Sequence, residues 1–324
     1  MKQLTTGPGG APTTGIQGAG VEHDEHRLIR TKVRRRWSFN YYARQQFIGF
    51  LFVLPVLAFF AVFSVYPMLK AFQVSFHRWD LVTPMKYVGV DNYLKLLRSP
   101  GFLQACKATA YYIVLACPAA WALGFGLAVL LNARFPGRDL FRSVFFLPSV
   151  FPVIAMSLAW FVLFQPAGLI NQLLGTRIIW LTRSRSAMPA IAIMDIWRAM
   201  GYYMVLFLVG LQSIPHEYYE AGKIDGASSW QLLRYITIPL MEPVFALVVV
   251  IGLIGGVQVL VPMMVMTAGG PGNATRSVVQ MIYQTGFQNW RMGDASAMSI
   301  VLFVFLFALT ALQLKFFRFG QEER

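Results

Sequence analysis

The stretch LQSIPHEYYEAGKIDGASSWQLLRYITIP, residues 211–239, is the polar segment around which the rest of the chain is organised. Its local signals describe two short helices. Ser213 and Pro215 are helix-start residues, Glu217 suits the positive end of a helix dipole, and Gly226 can close the helix about three turns later. Ser228 followed by Gln231 has the spacing of a capping box and starts a second helix, which Pro239 is expected to stop. Two stiff helices joined at Gly226 form an elbow that transmits a push, where a flexible loop would absorb it. Docking in the groove of a partner is its natural use; lying as an amphipathic hairpin on lipid headgroups is the alternative.

Outward from this loop the chain is apolar. Uncharged runs long enough to cross a hydrocarbon core of about 30 Å occur at Phe47–Leu69, Ala108–Leu131 and Val144–Phe164 on one side of the sequence. Met188–Leu211, interrupted only by Asp195 and Arg198, precedes the loop, and Val244–Met266 and Ala295–Leu314 follow it. The reading is an all-α integral membrane protein of six transmembrane helices, each satisfying its own backbone hydrogen bonds. Composition agrees: 56% of the 324 residues are hydrophobic, 13% are charged, and the mean hydropathy is +0.55. A soluble domain could not bury that much apolar surface.

The net charge of +14 gathers at the ends of the apolar runs and before the first of them, at Arg27, Arg30, Lys32, Arg34, Arg35, Arg36 and Arg44. That placement suits membrane lipids, at about 1 kcal/mol per residue near an anionic leaflet, and speaks against nucleic acid. With the N-terminus in the cytoplasm, sixteen Lys and Arg fall in the inner segments and eleven in the outer ones. The bias favours that orientation. The resulting plan is a basic tail at 1–45, a six-helix domain at 46–319, an extracytoplasmic loop at 70–107, the cytoplasmic elbow at 212–239 and a cytoplasmic end at 320–324. The Gly-, Thr- and Pro-rich first twenty residues read as a disordered tail, and His23 and His26 within it are read as solvated rather than metal-binding. Cys106 and Cys117, about 16 Å apart along a helix, cannot pair and are read as packing residues.

Prolines 55, 118, 148, 152 and 262 and glycines 124, 126, 252, 255 and 256 call for bent, closely packed helices. Gly252 and Gly256 have a small-xxx-small spacing that serves either tight packing or a ligand passage. Asp195 and Arg198 share one helical face near mid-span, where an unpaired charge costs at least about 2.5 kcal/mol. They either form a buried pair that orients the helix or face a watery solute path. Trp160, Trp197, Gln165, Asn171 and Gln258 are further candidates for that path, because sugars take planar apolar faces and amide partners. No phosphate-cradling Gly-x-x-x-x-Gly-Lys-Ser/Thr loop, metal cluster or nucleophile-base set is present, so the chain is read as a transport subunit and not an enzyme.

The run Glu220-Ala221-Gly222, then Gly226, then Ile236-x-Ile238-Pro239 resembles the EAA loop of ABC importer permeases. It departs from the usual pattern at Gly222, where a second alanine is common, and at Ile238, where leucine is. Val88-Gly-Val-Asp-Asn-Tyr93, Phe146-Leu-Pro148, Gly168-Leu-Ile-Asn171 and Thr267-Ala-Gly-Gly-Pro271, with Thr275, Tyr283, Phe287 and the small residues Gly293 to Ala297, are similar to the maltose and glycerol-3-phosphate branch of carbohydrate permeases. The resemblance implies a type I importer with the MetI-like fold, in a prokaryotic inner membrane. It implies two unlike permeases, two ATPase subunits that hold ATP and Mg, and an extracytoplasmic solute-binding protein, for a sugar, polyol or glycerol phosphate. This chain would bind no cofactor itself, and Tyr219, Glu220, Ala221, Gly222, Asp225, Gly226, Ile236 and Pro239 would meet the ATPase. An ion-coupled secondary carrier, with Asp195 relaying protons beside Arg198, is the competing expectation.

Overall fold

The computed structural model describes residues 38–322, with side chains over residues 44–317. The N-terminal tail, including His23 and His26, lies outside the described residues. Two compact units divide the chain, residues 1–60 and residues 61–324. In the first, helix α1 spans Ser38–Phe60 with Pro55 inside it.

The second unit opens with a π-helical turn at Ala61–Val65 and α2 at Tyr66–Ser75. A two-stranded hairpin, β1 (His77–Arg78) and β2 (Lys86–Tyr87), leads to α3 at Asp91–Arg98. The long α4, Pro100–Asn132, is followed by α5 (Arg138–Val150), α6 (Val153–Leu163), the single-turn α7 (Leu169–Leu174) and the long α8 (Ser184–Ser213). The elbow holds α9 (His216–Ile224), α10 (Ser229–Leu232) and α11 (Ile238–Leu240), and then come α12 (Glu242–Val257) and α13 (Val261–Thr267). The second unit ends with α14 (Val278–Tyr283) and α15 (Met292–Glu322).

Among the described residues, four helical stretches are individually long and apolar enough to cross a membrane: Arg44–Ser75, Pro100–Asn132, Ser184–Ser213 and Met292–Phe317. The count reaches six when each of two bent pairs is taken as one span. In one pair, the third span, the bend that its prolines call for is sharp: α5 and α6 meet at 96°, because Phe151 is extended and Pro152 cannot continue the preceding turn. The fifth apolar run is likewise not one helix. It stops at Val257 and restarts at Val261, with Pro262 in the first turn of α13, where its missing N–H removes nothing.

In lipid, helices associate by close packing rather than by escape from water, so small residues set the distances. A Cβ on Gly124 would come within 3.0 Å of the Met200 carbonyl, and one on Gly201 would overlap the Phe145 carbonyl. These approaches press α4 and α5 onto α8. Phe125, Phe207 and Phe245 close the same layer with ring centroids 5.1–5.3 Å apart, tying α4, α8 and α12 together. A second core layer, around Tyr112, Ala116, Ile191, Met194 and Met263, lies against α6 and α13. A third joins α3, α4, α14 and α15 through Leu96, Phe102, Ala105, Val278 and Met298. Phe303, Phe307 and Leu312 of α15 stay exposed, as a lipid-facing or subunit-facing surface requires.

Candidate solute path and coupling loop

Asp195 and Arg198 lie one turn apart on α8, and both Nε and Nη2 of the guanidinium donate to the same carboxylate oxygen at 2.7 Å. The other carboxylate oxygen accepts from the hydroxyl of Tyr112 on α4. A cation, an anion and a phenol therefore form a neutral cluster that clips α4 and α8 together. It lies on the wall of a cavity of about 270 Å³, into which Tyr203 and Gln258 also face.

The opposite wall is the interrupted fifth run, from Gly252 to Pro262. Gly252 and Gly256 serve the packing role there. A Cβ at Gly252 would sit 2.5 Å from the Trp121 indole nitrogen, and one at Gly256 would sit 2.9 Å from Cys117 Sγ. The glycine faces also line the cavity, so packing and passage share these positions. A broken helix at membrane depth is tolerated where it lines such a space.

The remaining path candidates separate. The rings of Trp160 and Trp197 lie 5.6 Å apart, tilted by 52°, beginning a row that continues through Phe164 to Trp180. Gln165 lines a second cavity of about 370 Å³ with Phe161, Trp180 and Thr267. Asn171 corrects its sequence reading. It is 2% exposed, its amide nitrogen donates to the carbonyls of Gln165, Pro166 and Ile178, and its oxygen accepts from Thr176, the Ile178 amide and Trp180 Nε1. That saturates the side chain and leaves it holding the loop rather than facing a solute.

The elbow follows its sequence signals at one end and not at the other. Ser228 and Gln231 form both bonds of the capping box, and Gly226 takes a φ of +79°. Ser213, however, ends α8 and donates back to the Gly210 carbonyl, so it caps nothing that follows. Pro239 does not stop the second helix, which runs on from Ser229 to Leu240. A π-helical turn at Leu233–Thr237 precedes the proline and shifts the register in which a hydrogen-bond donor would be missed. The break falls at Met241, and a 66° bend leads into α12.

Gly222 has a geometric reason. A Cβ there would meet Leu232 Cδ2 at 2.6 Å and Ile236 Cδ1 at 3.0 Å, and so the bare backbone lets the two short helices close on each other. Tyr219 adds a 3.0 Å bond to Thr237 across the same angle. Glu220, Ala221, Asp225 and Gly226 are exposed, as are Tyr218, Ile224 at 86%, Trp230 and Tyr235, while Ile236 and Pro239 are half-buried. Glu220 has His216 3.9 Å away, one turn before it. Outside the membrane-depth path, Asn92 stood in the 88–93 motif without a role. Its amide donates to the carbonyls of Ser75 and His77, which explains the Asn-Tyr pair of the 88–93 motif together with the 2.6 Å bond from Tyr93 to Ser75.

A bundle of broken and bent spans, a neutral charged cluster at a cavity and a rigid two-helix elbow define a membrane transport subunit. Residues 120–318 match the family described as the inner membrane component of binding-protein-dependent transport systems, and the chain belongs to that family. It is a multi-pass inner-membrane permease of an ABC importer, not itself catalytic, which works with ATPases that carry the nucleotide and with a periplasmic binding protein. The ion-coupled carrier expectation is corrected by this membership. Over 288 residues the chain is 33% identical to the trehalose/maltose transport system permease protein MalF of Thermococcus litoralis, covering 86% of this chain and 96% of that protein. It is 32% identical over 305 residues to the arabinooligosaccharides transport system permease protein AraP of Halalkalibacterium halodurans, covering 92% and 95%. The fold is also that of a bacterial ABC transporter involved in import of the acidic polysaccharide alginate, with a TM-score of 0.77 at 22% identity over 86% of this chain and 98% of that one.

Proposed function

We propose that this chain is one of two unlike permeases of an importer for a saccharide or short oligosaccharide, oriented with its N-terminus and the 212–239 elbow in the cytoplasm. The carrying observation is the cavity walled by Tyr112, Asp195, Arg198 and the broken fifth run. A carboxylate and guanidinium that neutralise each other present hydrogen-bonding edges without a net charge, which suits hydroxyl-rich neutral solutes. The printed functions of the trehalose/maltose and arabinooligosaccharide relatives support a sugar, and glycerol phosphate has no comparable support. Trp160, Trp197, Gln165 and Gln258 complete the proposed path, and residues 70–107 form its extracytoplasmic cap.

The elbow is the proposed ATPase-docking element, through Tyr219, Glu220, Ala221, Gly222, Asp225, Gly226, Ile236 and Pro239. Its support is an exposed aromatic surface on a segment stiffened by a capping box and an interhelical bond. Reconstituted transporter with its binding protein, assayed for ATP-dependent uptake of a panel of labelled mono- and oligosaccharides, tests the reading. ATP-dependent uptake of one saccharide class supports it. Uptake confined to non-saccharide solutes would overturn it.

A further inference from the structure

The hairpin after α2 holds two like charges opposite one another. Arg78 pairs with Lys86 across the strands, both side chains are exposed, and neither has an acidic partner among the described residues. Directly opposed like charges weaken a strand pair, so an isolated hairpin would select against this rung. Asp80, which lines the same cavity as Arg78, is engaged by its own loop. Its carboxylate accepts from the backbone and hydroxyl of Thr83 at 2.7 Å, and those bonds hold its pKa below the usual carboxylate value.

Beside this rung stands a strained tryptophan. Trp290 has a φ of +57°, in the left-handed region that bulky side chains rarely enter, yet its side chain is 56% exposed. The strain is held by three backbone bonds of 2.9 Å, from Asn289 to Gln284, from Arg291 to Thr285 and from Met292 to Trp79. The last ties the hairpin to the start of α15, and Gly293 lets the His77 carbonyl approach where a Cβ would overlap it. Arg78, Trp79, Lys95 and Trp290 share the lining of one cavity of about 350 Å³ with Asp80, Arg291 and Asp294; Lys95 is paired with Asp91 and Arg291 with Asp294, so Arg78 is the cation there without an acidic partner among the described residues. Backbone strain of this kind, kept at an exposed position, marks a surface held for binding.

Charge names the occupant. The three outer segments, 70–107, 165–187 and 267–294, carry eleven Lys and Arg against three acidic residues, Asp80, Asp91 and Asp294. That surplus stands on the side where Lys and Arg are normally sparse, and the anionic-lipid attraction that draws basic segments belongs to the opposite leaflet. Tryptophan and arginine are also the residues that dominate protein-protein hot spots. We infer that the corner built by the Arg78–Lys86 rung and Trp290 docks an acidic face of the extracytoplasmic solute-binding protein, which rests on the outward placement of loop 70–107 proposed above.

The test uses the complete transporter in nanodiscs and the affinity of its purified binding protein. The wild-type affinity should fall as salt is raised, the double variant Arg78→Glu with Lys86→Glu should bind about tenfold more weakly at low salt, and Trp290→Ala should weaken binding about tenfold at every salt concentration. Co-purified ATPase checks assembly. If the double variant fails to assemble, the wild-type salt series decides, and a flat series overturns the inference. Unchanged affinity in the assembled variants overturns it too. An effect seen only in discs containing anionic lipid would assign the corner to headgroups and overturn docking. Labelling of Val82→Cys by an impermeant thiol reagent on whole cells separates the two premises: modification with unchanged affinity sinks the docking surface alone, and no modification sinks the orientation with it.

Discussion

Asp195 and Arg198 were legible in the sequence because a three-residue spacing on one helix needs no tertiary information. Tyr112 was not, because it approaches from 83 residues away and a tyrosine within an apolar run gives no local hint of a carboxylate partner. The cluster predicts coupling. Asp195→Asn or Arg198→Gln alone strands the countercharge, and because Arg198 keeps 28% exposure the expected loss is about 1–3 kcal/mol, below that of a fully buried pair. The double variant should lose less than the sum, read as detergent melting in a double-mutant cycle. Additive losses would mean that the two do not act together. Asn171 teaches the reverse lesson, since a lone amide near a span invites a solute role until its partners are known. Asn171→Ala should lower stability by about 1–3 kcal/mol with solute preference unchanged. Altered preference at unaltered stability would return Asn171 to the path.

Local chemistry read well within the elbow and poorly at its ends. A capping box and a glycine at positive φ are encoded by neighbours in sequence, so Ser228, Gln231 and Gly226 behave as expected. Pro239 misled because a π-helical turn absorbs the missing donor, and that turn has no sequence signal of its own. The same holds for the 96° break at Pro152: proline said where, but only packing against α8 and α13 says how far. Gly226→Val should strain the joint, and Gly222→Leu should wedge α9 away from Leu232 and Ile236. Glu220→Arg reverses a charge on the proposed docking surface, and loss of a desolvated interfacial charge pair costs about 2–5 kcal/mol. All three variants should insert normally yet uncouple ATP hydrolysis from uptake. The measurement is uptake together with retained ATPase at matched membrane levels, and wild-type values in all three would remove the elbow from the coupling route.

At the scale of the whole chain, apolar run length was enough to find the bundle, because lipid admits few alternatives to helices that satisfy their own backbones. What run length could not supply was which spans are interrupted. The orientation that the Lys and Arg distribution suggests places Ser228 inside, so a cysteine at that position should resist an impermeant thiol reagent in whole cells and react after permeabilisation; reaction from outside would invert the topology. Assembly is the larger consequence. Exposed apolar faces on α4, α12 and α15, at residues such as Val114, Leu130, Leu247 and Phe305, offer a second subunit as well as lipid a surface to pack against. A second permease of different sequence is expected there, since two copies would place the same basic outer corners face to face around a two-fold axis, where their fields repel. Expressed with the ATPase alone, this chain should give little stable complex, and co-expression with a second, unlike permease should restore a complex containing one copy of each with two ATPases. Native mass spectrometry of the purified assembly reads the stoichiometry directly. A complex with two copies of this chain that imports solute with only the ATPase and the binding protein would defeat the expectation.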